Sequence, residues 1–253
     1  MNSGALLYAF DSDIKYTKIA VECAKRIRRY LDIPVSLATD TTINEQVFDQ
    51  VIDVEKPSTV NHKYWQDTNT TTKWYNSGRS GALEISPYDR TLLVDIDYMV
   101  NSNVLTNLLD SRQNFFAHKS VMPVTAQVKT ETFGQNKIDM WWATVVVFDR
   151  SQFTKDVFAM WQMVEQNYQH YANIFGFDAR KFRNDFALSI ALLVANGNTQ
   201  PEHCNIPWPL LNVDPADSVV CNNDKWTINQ TFYTVNQDLH IMGKSYLESL
   251  YAV

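Results

Sequence analysis

The alternation of apolar and polar positions predicts strands and helices in turn along the first part of the chain. Residues 5–10 form an apolar run typical of a short buried strand. Residues 16–30 carry apolar side chains at spacings of three and four, as one face of a helix requires. Pro34 follows that helix, and further strands are predicted over residues 35–38 and 51–54. Strands separated by a helix in this way indicate a parallel α/β sheet.

The rest of the chain continues this pattern less regularly. Residues 57–72 are polar, rich in Thr and Asn and without periodicity, so we predict a long loop there, of a kind that is usually functional or mobile. Residues 199–231 contain four prolines and are predicted to be irregular. The other predicted elements are strands leading into residue 95 and over residues 144–148, and helices over residues 73–83, 103–109, 151–168 and 184–196.

Two carboxylates interrupt the apolar run TLLVDIDYMV at residues 91–100. Because successive side chains of a strand alternate between faces, Asp95 and Asp97 are expected to point to the same side. Two like charges so close repel each other unless a cation lies between them, and oxygen ligands suit Mg²⁺ or Mn²⁺ with phosphates in its shell. The run therefore predicts a metal and diphosphate site. A solvated strand end, with Asp97 capping a turn, is the alternative.

Near the other end, the segment DLHIMGK at residues 238–244 brings three chemically useful residues together. The imidazole of His240 can complete the shell of a divalent ion, Gly243 permits close approach of the backbone, and Lys244 supplies a compact positive charge for a diphosphate. The alternative is a surface histidine beside a turn glycine.

Composition narrows the classes of protein. The chain has 253 residues, of which 45% are hydrophobic, so one large domain with a substantial core is expected. No apolar run approaches 18 residues, the first ten residues do not read as a signal peptide, and the three cysteines are far apart, so we expect reduced thiols, no membrane span and a cytoplasmic protein. The net charge of −6 argues against an extended nucleic-acid surface but leaves room for a local basic groove.

Taken in order, these motifs resemble those of the GT-A glycosyltransferases. The motifs are the strand ALLYAFDSD with its helix, an arginine sixteen residues before Asp95, the later helix with an internal aspartate, and H-x-x-G-K. They are most similar to the retaining branch that contains glycogenin and the bacterial lipopolysaccharide galactosyltransferases, and they cover most of the chain as scattered short motifs. The resemblance implies an α/β GT-A fold with a mostly parallel central sheet flanked by helices. It also implies a single domain over residues 1–253, with a nucleotide-binding half at about 1–110 and an acceptor half at about 111–253.

Carried over residue by residue, the resemblance implies that Asp95 and Asp97 coordinate Mn²⁺ or Mg²⁺, with His240 as the third protein ligand. The donor would be a nucleotide-diphosphate sugar, most simply a UDP-sugar, with the diphosphate against the metal and Lys244. The residues implied to bind metal and donor together are Ala9, Phe10, Asp11, Arg79, Asp95, Ile96, Asp97, Gly243 and Lys244, of which the first three would form the uracil pocket.

The residues implied to be catalytic are Asp185, Arg79 and Lys244, with Asp185 next to the reacting carbon of the donor sugar. The alternatives are an Arg79 exposed on a helix and an Asp185 near a helix N-terminus, where the macrodipole favours a carboxylate. The chain departs from the family at three places. Phe186 stands where glutamine is usual, Ala143 and Thr144 stand where asparagine and glycine are usual, and Lys244 follows Gly243 without a spacer. Retention and inversion of the sugar configuration both stay open.

The resemblance thus implies a metal-dependent hexosyltransferase that acts on a hydroxyl acceptor, which is a glycan, a protein or a modified DNA base. Among the aromatic residues, the adjacent pair Trp141 and Trp142 is the best candidate for contact with that acceptor, with burial in the core as the alternative. A sugar-nucleotide nucleotidyltransferase is disfavoured because no glycine-rich loop follows the first strand. A non-catalytic or structural protein that retains the fold is a further alternative, in which Asp95, Asp97 and His240 would have no reason to converge. A glycosyltransferase for a hydroxylated DNA base would need only a local basic rim. The oligomeric state stays open.

Overall fold

The computed structural model describes residues 2–58, 61–65, 70–75, 77–222, 225–233 and 236–250. Its helices are α1 (Tyr16–Leu31), α2 (Ala82–Ile85), α3 (Thr106–Leu109), α4 (Gln152–Gln166), α5 (Tyr168–Phe175), α6 (Asn184–Ala195) and α7 (Lys244–Leu250), with 3₁₀ turns at Arg79–Gly81 and Glu202–Cys204. Its strands are β1 (Ser3–Tyr8), β2 (Val35–Thr39), β3 (Gln50–Asp53), β4 (Asn61–Trp65), β5 (Thr70–Trp74), β6 (Arg90–Val94), β7 (Tyr98–Met99), β8 (Phe115–His118), β9 (Ser120–Pro123), β10 (Lys129–Thr130), β11 (Thr132–Phe133), β12 (Ile138–Asp139), β13 (Trp142–Phe148), β14 (Leu210–Val213), β15 (Val219–Asn222), β16 (Lys225–Ile228), β17 (Thr231–Tyr233) and β18 (Leu239–Ile241).

The larger sheet has the strand order β3-β2-β1-β6-β13-β8. Strands β3, β2, β1 and β6 are parallel, and β13 runs antiparallel to both β6 and β8. Strands β1, β2, β6 and β13 are buried along almost their whole length, as expected where helices cover both faces of a sheet. The predicted α/β class with a mostly parallel central sheet flanked by helices is confirmed.

Two of the helices are found where the sequence predicts them, one from its periodicity and the other from its apolar character. Helix α1 was predicted over residues 16–30 and buries its apolar stripe, which includes Ile19, Cys23 and Ile27. Helix α6 was predicted over residues 184–196 and packs against β13 and α4. None of the helices in the described ranges combines the length and apolar character needed to span a bilayer.

A smaller sheet, with the order β10-β9-β14-β18-β7, adjoins the larger one. Strand β14 is parallel to both β9 and β18, and β18 is antiparallel to β7, with His240 opposite Tyr98. The chain passes from the larger sheet to the smaller one between β6 and β7, a connection made by Asp95, Ile96 and Asp97. This connection therefore lies where the two sheets meet.

Several local predictions are wrong. In the predicted loop at residues 57–72, β4 and β5 form an antiparallel hairpin, and residues 59–60 and 66–69 lie outside the described part of the chain. The helix predicted over residues 73–83 is instead the end of β5 followed by a 3₁₀ turn and α2, because Gly78 adopts a φ of 89° that no right-handed helix contains.

Two other segments also differ from their predictions. The helix predicted over residues 151–168 is divided into α4 and α5, since Asn167 leaves the helical conformation with φ −119° and ψ 36°. The segment predicted to be irregular, residues 199–231, contains β14, and β15, β16 and β17 form an antiparallel sheet of their own. These strands have no more than four residues each, too short for a clear alternation of faces.

Candidate functional site

A cavity of about 650 Å³ opens at the carboxyl ends of β1 and β6. Its wall also includes the beginnings of β13 and α6 and the segment that follows β18. Crevices at the carboxyl ends of parallel strands are the usual ligand sites of α/β proteins. The residues predicted from the sequence that line it are Ala9, Phe10, Arg79, Asp95, Ile96, Asp97, Asp185, His240, Gly243 and Lys244.

Asp95 and Asp97 lie in a turn and not within a strand, which corrects the geometry expected from strand alternation. The Asp95 N–H donates to the Thr144 carbonyl at 2.8 Å, and the Tyr98 N–H donates to the Asp95 carbonyl at 3.0 Å, which closes the turn. Candidate ligand atoms of Asp95, Asp97 and His240 all lie within 4.8 Å of one another. The turn thus brings the two carboxylates together with the imidazole.

A neighbouring strand orients the imidazole of His240. Its Nδ1 lies 2.8 Å from Oδ1 of Asn212, which is opposite His240 in the pairing of β14 with β18, and its Nε2 lies 3.6 Å from Oδ2 of Asp97. An Nδ1–H that donates to the amide oxygen leaves the Nε2 lone pair directed toward the carboxylates. Metal-bound histidines are typically held by such a partner on the other nitrogen. Asn212 was not identified from the sequence, because only the strand pairing brings it next to His240.

Asp97 is buried, with 2% of its surface exposed, and lies next to two groups that can carry positive charge. Burial by itself raises the pKa of a carboxyl, but the attraction of Lys244 and His240, together with their hydrogen bonds, outweighs it and holds the pKa of Asp97 well below its usual range. The Lys244 Nζ lies 2.5 Å from Oδ2 of Asp97. Burial lowers the pKa of Lys244, but Asp97 outweighs this and raises it, so both groups are charged at neutral pH.

Arg79 is buried in its 3₁₀ turn, so the alternative of an arginine exposed on a helix is wrong. Its guanidinium forms an ion pair with Asp95, and Nη2 donates to the Ala143 carbonyl at 2.8 Å. Burial lowers the pKa of Arg79 to about 10, which still leaves it charged. Glu165 of α4 holds the turn by accepting from the Gly78 N–H and the Ser80 hydroxyl, each at 2.6 Å.

Asp185 lies in the first turn of α6, where the helix macrodipole favours a carboxylate. Its Oδ1 accepts from the Ala143 N–H at 3.0 Å, and its Oδ2 lies 3.0 Å from Nη2 of Arg183. Asp185 therefore accepts from the backbone N–H of Ala143, and Arg79 donates to the backbone carbonyl of the same residue, at the beginning of β13. This double contact fixes one wall of the cavity next to the Asp95 turn.

Two of the three residues predicted for the uracil pocket line the cavity, and the third does not. Ala9 and Phe10 line the cavity, and the Phe10 ring lies 6.3 Å from that of Tyr75 in an edge-on arrangement. Asp11 is not among the lining residues: its carboxylate accepts from the backbone N–H of Thr17 at 2.9 Å and from its hydroxyl at 3.1 Å, in the first turn of α1. That position serves the beginning of a helix.

The pair of tryptophans is divided as well. Trp142 lines the cavity, whereas Trp141 is fully buried, so a contact between Trp141 and an acceptor is wrong. Several lining residues were missed because no local pattern distinguishes them. They come from β1, α1, the end of β5 and the residue after it, the segment before α6 and its first residue, and the last described helix. They include Tyr8, Tyr16, Trp74, Tyr75, Lys181, Arg183, Asn184 and Tyr246.

Two carboxylates and one imidazole nitrogen form a donor set that suits Mn²⁺ or Mg²⁺, ions that also keep phosphate oxygens in their shell. Arg79 and Lys244 provide fixed positive charge next to that set. The arrangement can therefore bind a divalent ion and a diphosphate together.

No protein-family model and no curated protein matches this sequence. Similar solved structures include the apo form of the glycosyltransferase GlyE of Streptococcus pneumoniae TIGR4, at 14% identity and a TM-score of 0.45, covering 79% of this chain and 44% of that chain. They also include the galactosyltransferase LgtC in complex with donor and acceptor sugar analogs, at 15% identity and a TM-score of 0.46, covering 75% and 70%. This chain thus matches less than half of the GlyE chain.

Proposed function

We propose that the chain is a metal-dependent glycosyltransferase that moves a sugar from a UDP-sugar to a hydroxyl acceptor. The observation that carries the proposal is the convergence of Asp95, Asp97 and His240 in one wall of a cavity of about 650 Å³. A protein that had only retained the fold would have no need to bury a carboxylate between a histidine and Lys244. The convergence therefore favours an enzyme over a structural or non-catalytic relative.

The diphosphate end of the proposed site is built from charge. Asp95, Asp97 and His240 would hold the divalent ion, which when bound acts as a Lewis acid on the departing diphosphate. Lys244 is kept charged beside Asp97 and contributes a positive charge where negative charge develops. Arg79 contributes a second, from a turn that Glu165 clamps to α4. These cations are fixed before the donor arrives, so little reorganisation is required.

The sugar end is built from hydrogen-bonding groups. Asp185 is held by the Ala143 N–H and by Arg183, which fixes the direction of its carboxylate toward the cavity wall. A carboxylate held in this way can accept from a hydroxyl of the donor sugar and position the ring over the diphosphate. Phe10 and Ala9, at the end of β1, supply an apolar surface for a pyrimidine base.

The test is a calorimetric titration of UDP and of GDP, each with and without Mn²⁺. The proteins are the wild type, Asp97→Ala, and Asp156→Ala as a matched control on the exposed side of α4. We expect micromolar binding of UDP that requires Mn²⁺, persists in the control and is lost in Asp97→Ala. Circular dichroism checks the fold of Asp97→Ala, which leaves Lys244 without its partner. UDP binding that ignores Mn²⁺, or no binding at all, would contradict the proposal.

A further inference from the structure

The cation Lys181 has no role in the proposed binding of the metal, the diphosphate or Asp185. Lys181 lies in the segment between α5 and α6 and lines the cavity. Its Nζ lies 5.0 Å from the centre of the Trp74 ring, which belongs to the β4–β5 hairpin. This cation–π contact keeps the ammonium group on an aromatic face at the cavity wall.

The other described charged residues of the cavity lining form ion pairs, whereas Lys181 does not pair with a carboxylate of the lining. Of the lining residues that the structure describes, three are carboxylates, and each has a cationic neighbour: Asp95 pairs with Arg79, Asp97 with Lys244, and Asp185 with Arg183. Lys181 is the fourth cation in the lining, and among the described residues no carboxylate lies within 4.0 Å of it. The described part of the lining thus has a surplus of one positive charge.

Binding of the proposed donor leaves this surplus unchanged. A nucleotide-diphosphate sugar carries about two negative charges at neutral pH, and a divalent ion matches them. The single remaining positive charge is matched by an anion with one negative charge. A carboxylate has one, whereas a phosphate monoester has about two. Trp74 also lines the cavity, so the aromatic side chain that holds the ammonium group lies in the same wall.

We propose that Lys181 forms a subsite for a carboxylate on a sugar ring handled in the cavity, so that one of the two substrates is an acidic sugar of the uronic acid class. This inference rests on the proposed function. The carboxylate belongs either to the sugar that is transferred or to the acceptor, and the chemistry that Lys181 recognises is the same in both. The charge-assisted hydrogen bond favours the acidic sugar over its neutral counterpart by about tenfold or more.

The donor arm of the test compares UDP-glucuronate with UDP-glucose by calorimetry in the presence of Mn²⁺. The readout is the ratio of the two dissociation constants within each protein, because a ratio is insensitive to general loss of binding. The proteins are the wild type, Lys181→Gln and Lys181→Arg. Lys155→Gln, at an exposed position of α4, is the control. If the transferred sugar is acidic, UDP-glucuronate binds about tenfold or more tighter in the wild type, in Lys181→Arg and in the control, and the preference is lost in Lys181→Gln.

The acceptor arm titrates methyl glucuronide and methyl glucoside into the protein saturated with UDP and Mn²⁺. A preference for the glucuronide that Lys181→Gln abolishes assigns the carboxylate to the acceptor. If neither arm shows a charge preference, or if Lys181→Gln leaves it intact, the acidic-sugar subsite is wrong while the proposed function stands. If the wild type fails to bind UDP with Mn²⁺, both are overturned.

Discussion

Asn212 is the residue that decides which nitrogen of His240 faces the carboxylates, although it does not line the cavity. Its amide oxygen lies 2.8 Å from Nδ1, so removing the amide frees the ring to rotate and to change tautomer. We expect Asn212→Ala to weaken Mn²⁺ binding about 10- to 100-fold, the usual effect of losing such a partner. Electron paramagnetic resonance of free Mn²⁺ measures the affinity without any nucleotide.

Two further variants make the Asn212 prediction specific. Asn212→Asp retains an acceptor for Nδ1–H and should restore most of the affinity. Asn173→Ala removes an exposed amide from α5 and should change nothing. Equal Mn²⁺ affinity in Asn212→Ala and the wild type would mean that His240 needs no orientation by this strand.

His118 gives a pH dependence to stability. It is fully buried at the end of β8, its Nδ1 is paired with the Trp208 carbonyl at 3.0 Å, and its Nε2 has no hydrogen-bond partner among the described residues. Burial lowers the pKa of His118 to about 3, from an ordinary value of 6.5. Because the unfolded chain binds the proton more tightly, the stabilisation is complete above pH 6.5 and is lost as the pH falls toward 3.

Urea denaturation between pH 7 and pH 4 measures this effect. The wild type should lose up to about 1.4 kcal/mol of unfolding free energy per pH unit from His118, in addition to what its carboxylates contribute. His118→Gln, which cannot titrate, should show a flatter profile, whereas His170→Gln, at an exposed position of α5, should follow the wild type. Parallel profiles for His118→Gln and the wild type would refute the assignment.

At the scale of elements, Gly134 shows how the β11–β12 hairpin is attached to α5. It has a φ of 71°, and a Cβ at this position would lie 2.3 Å from the carbonyl oxygen of Phe175, which accepts the Gln135 N–H at 3.1 Å. Gly197 has a φ of 69° but nothing within 4 Å of its Cβ position. The two glycines thus share backbone conformation and differ in surroundings.

This pair of glycines permits a matched comparison. Gly197→Ala should cost about 1 kcal/mol of unfolding free energy, the strain of a left-handed residue with a side chain. Gly134→Ala should cost about 1–3 kcal/mol more, because the methyl group displaces the Phe175 carbonyl and breaks its hydrogen bond. Chemical denaturation of both variants gives the difference between their unfolding free energies. Equal losses would show that the β11–β12 hairpin moves away from the new methyl group without a penalty.

The elements that the sequence predicts correctly are those with long or continuous patterns. Helix α1 has sixteen residues and a continuous apolar stripe, and β13 is apolar except for Thr144, so the local pattern is sufficient. The β4–β5 hairpin and strands β7, β9, β14 and β18 are short, and the last four are stabilised by partners far away in the chain. No local window contains that information.

The candidate site divides along the same line. Asp95, Asp97, His240 and Lys244 belong to short motifs whose residue types have recognisable chemistry, so they could be proposed from the sequence. Asn212, Glu165 and Lys181 could not, because each acquires its role from a neighbour that only the fold provides: a paired strand, a packed 3₁₀ turn and a hairpin.

At the scale of the whole molecule, the cavity draws its walls from both sheets, so a ligand there should stabilise the domain as one unit. At 100 times its dissociation constant, UDP with Mn²⁺ should add about 2.7 kcal/mol to the unfolding free energy. For a domain of this size that corresponds to a rise in Tm of about 5–10 °C. Differential scanning fluorimetry tests this, with Asp97→Ala as the variant that should not respond. A similar rise in that variant would place the nucleotide elsewhere.

The ion pair between Asp97 and Lys244 joins residues 147 positions apart. A buried carboxylate without its cation is strongly unfavourable. The Asp97 carboxylate therefore stays hydrated during folding until Lys244 and His240 pack against it. During synthesis the parallel strands β1, β2, β3 and β6 leave the ribosome long before those residues do. The contact between the two sheets at Asp97 must then form last. A nascent chain that ends before residue 244 would have a nearly complete larger sheet but an incomplete site.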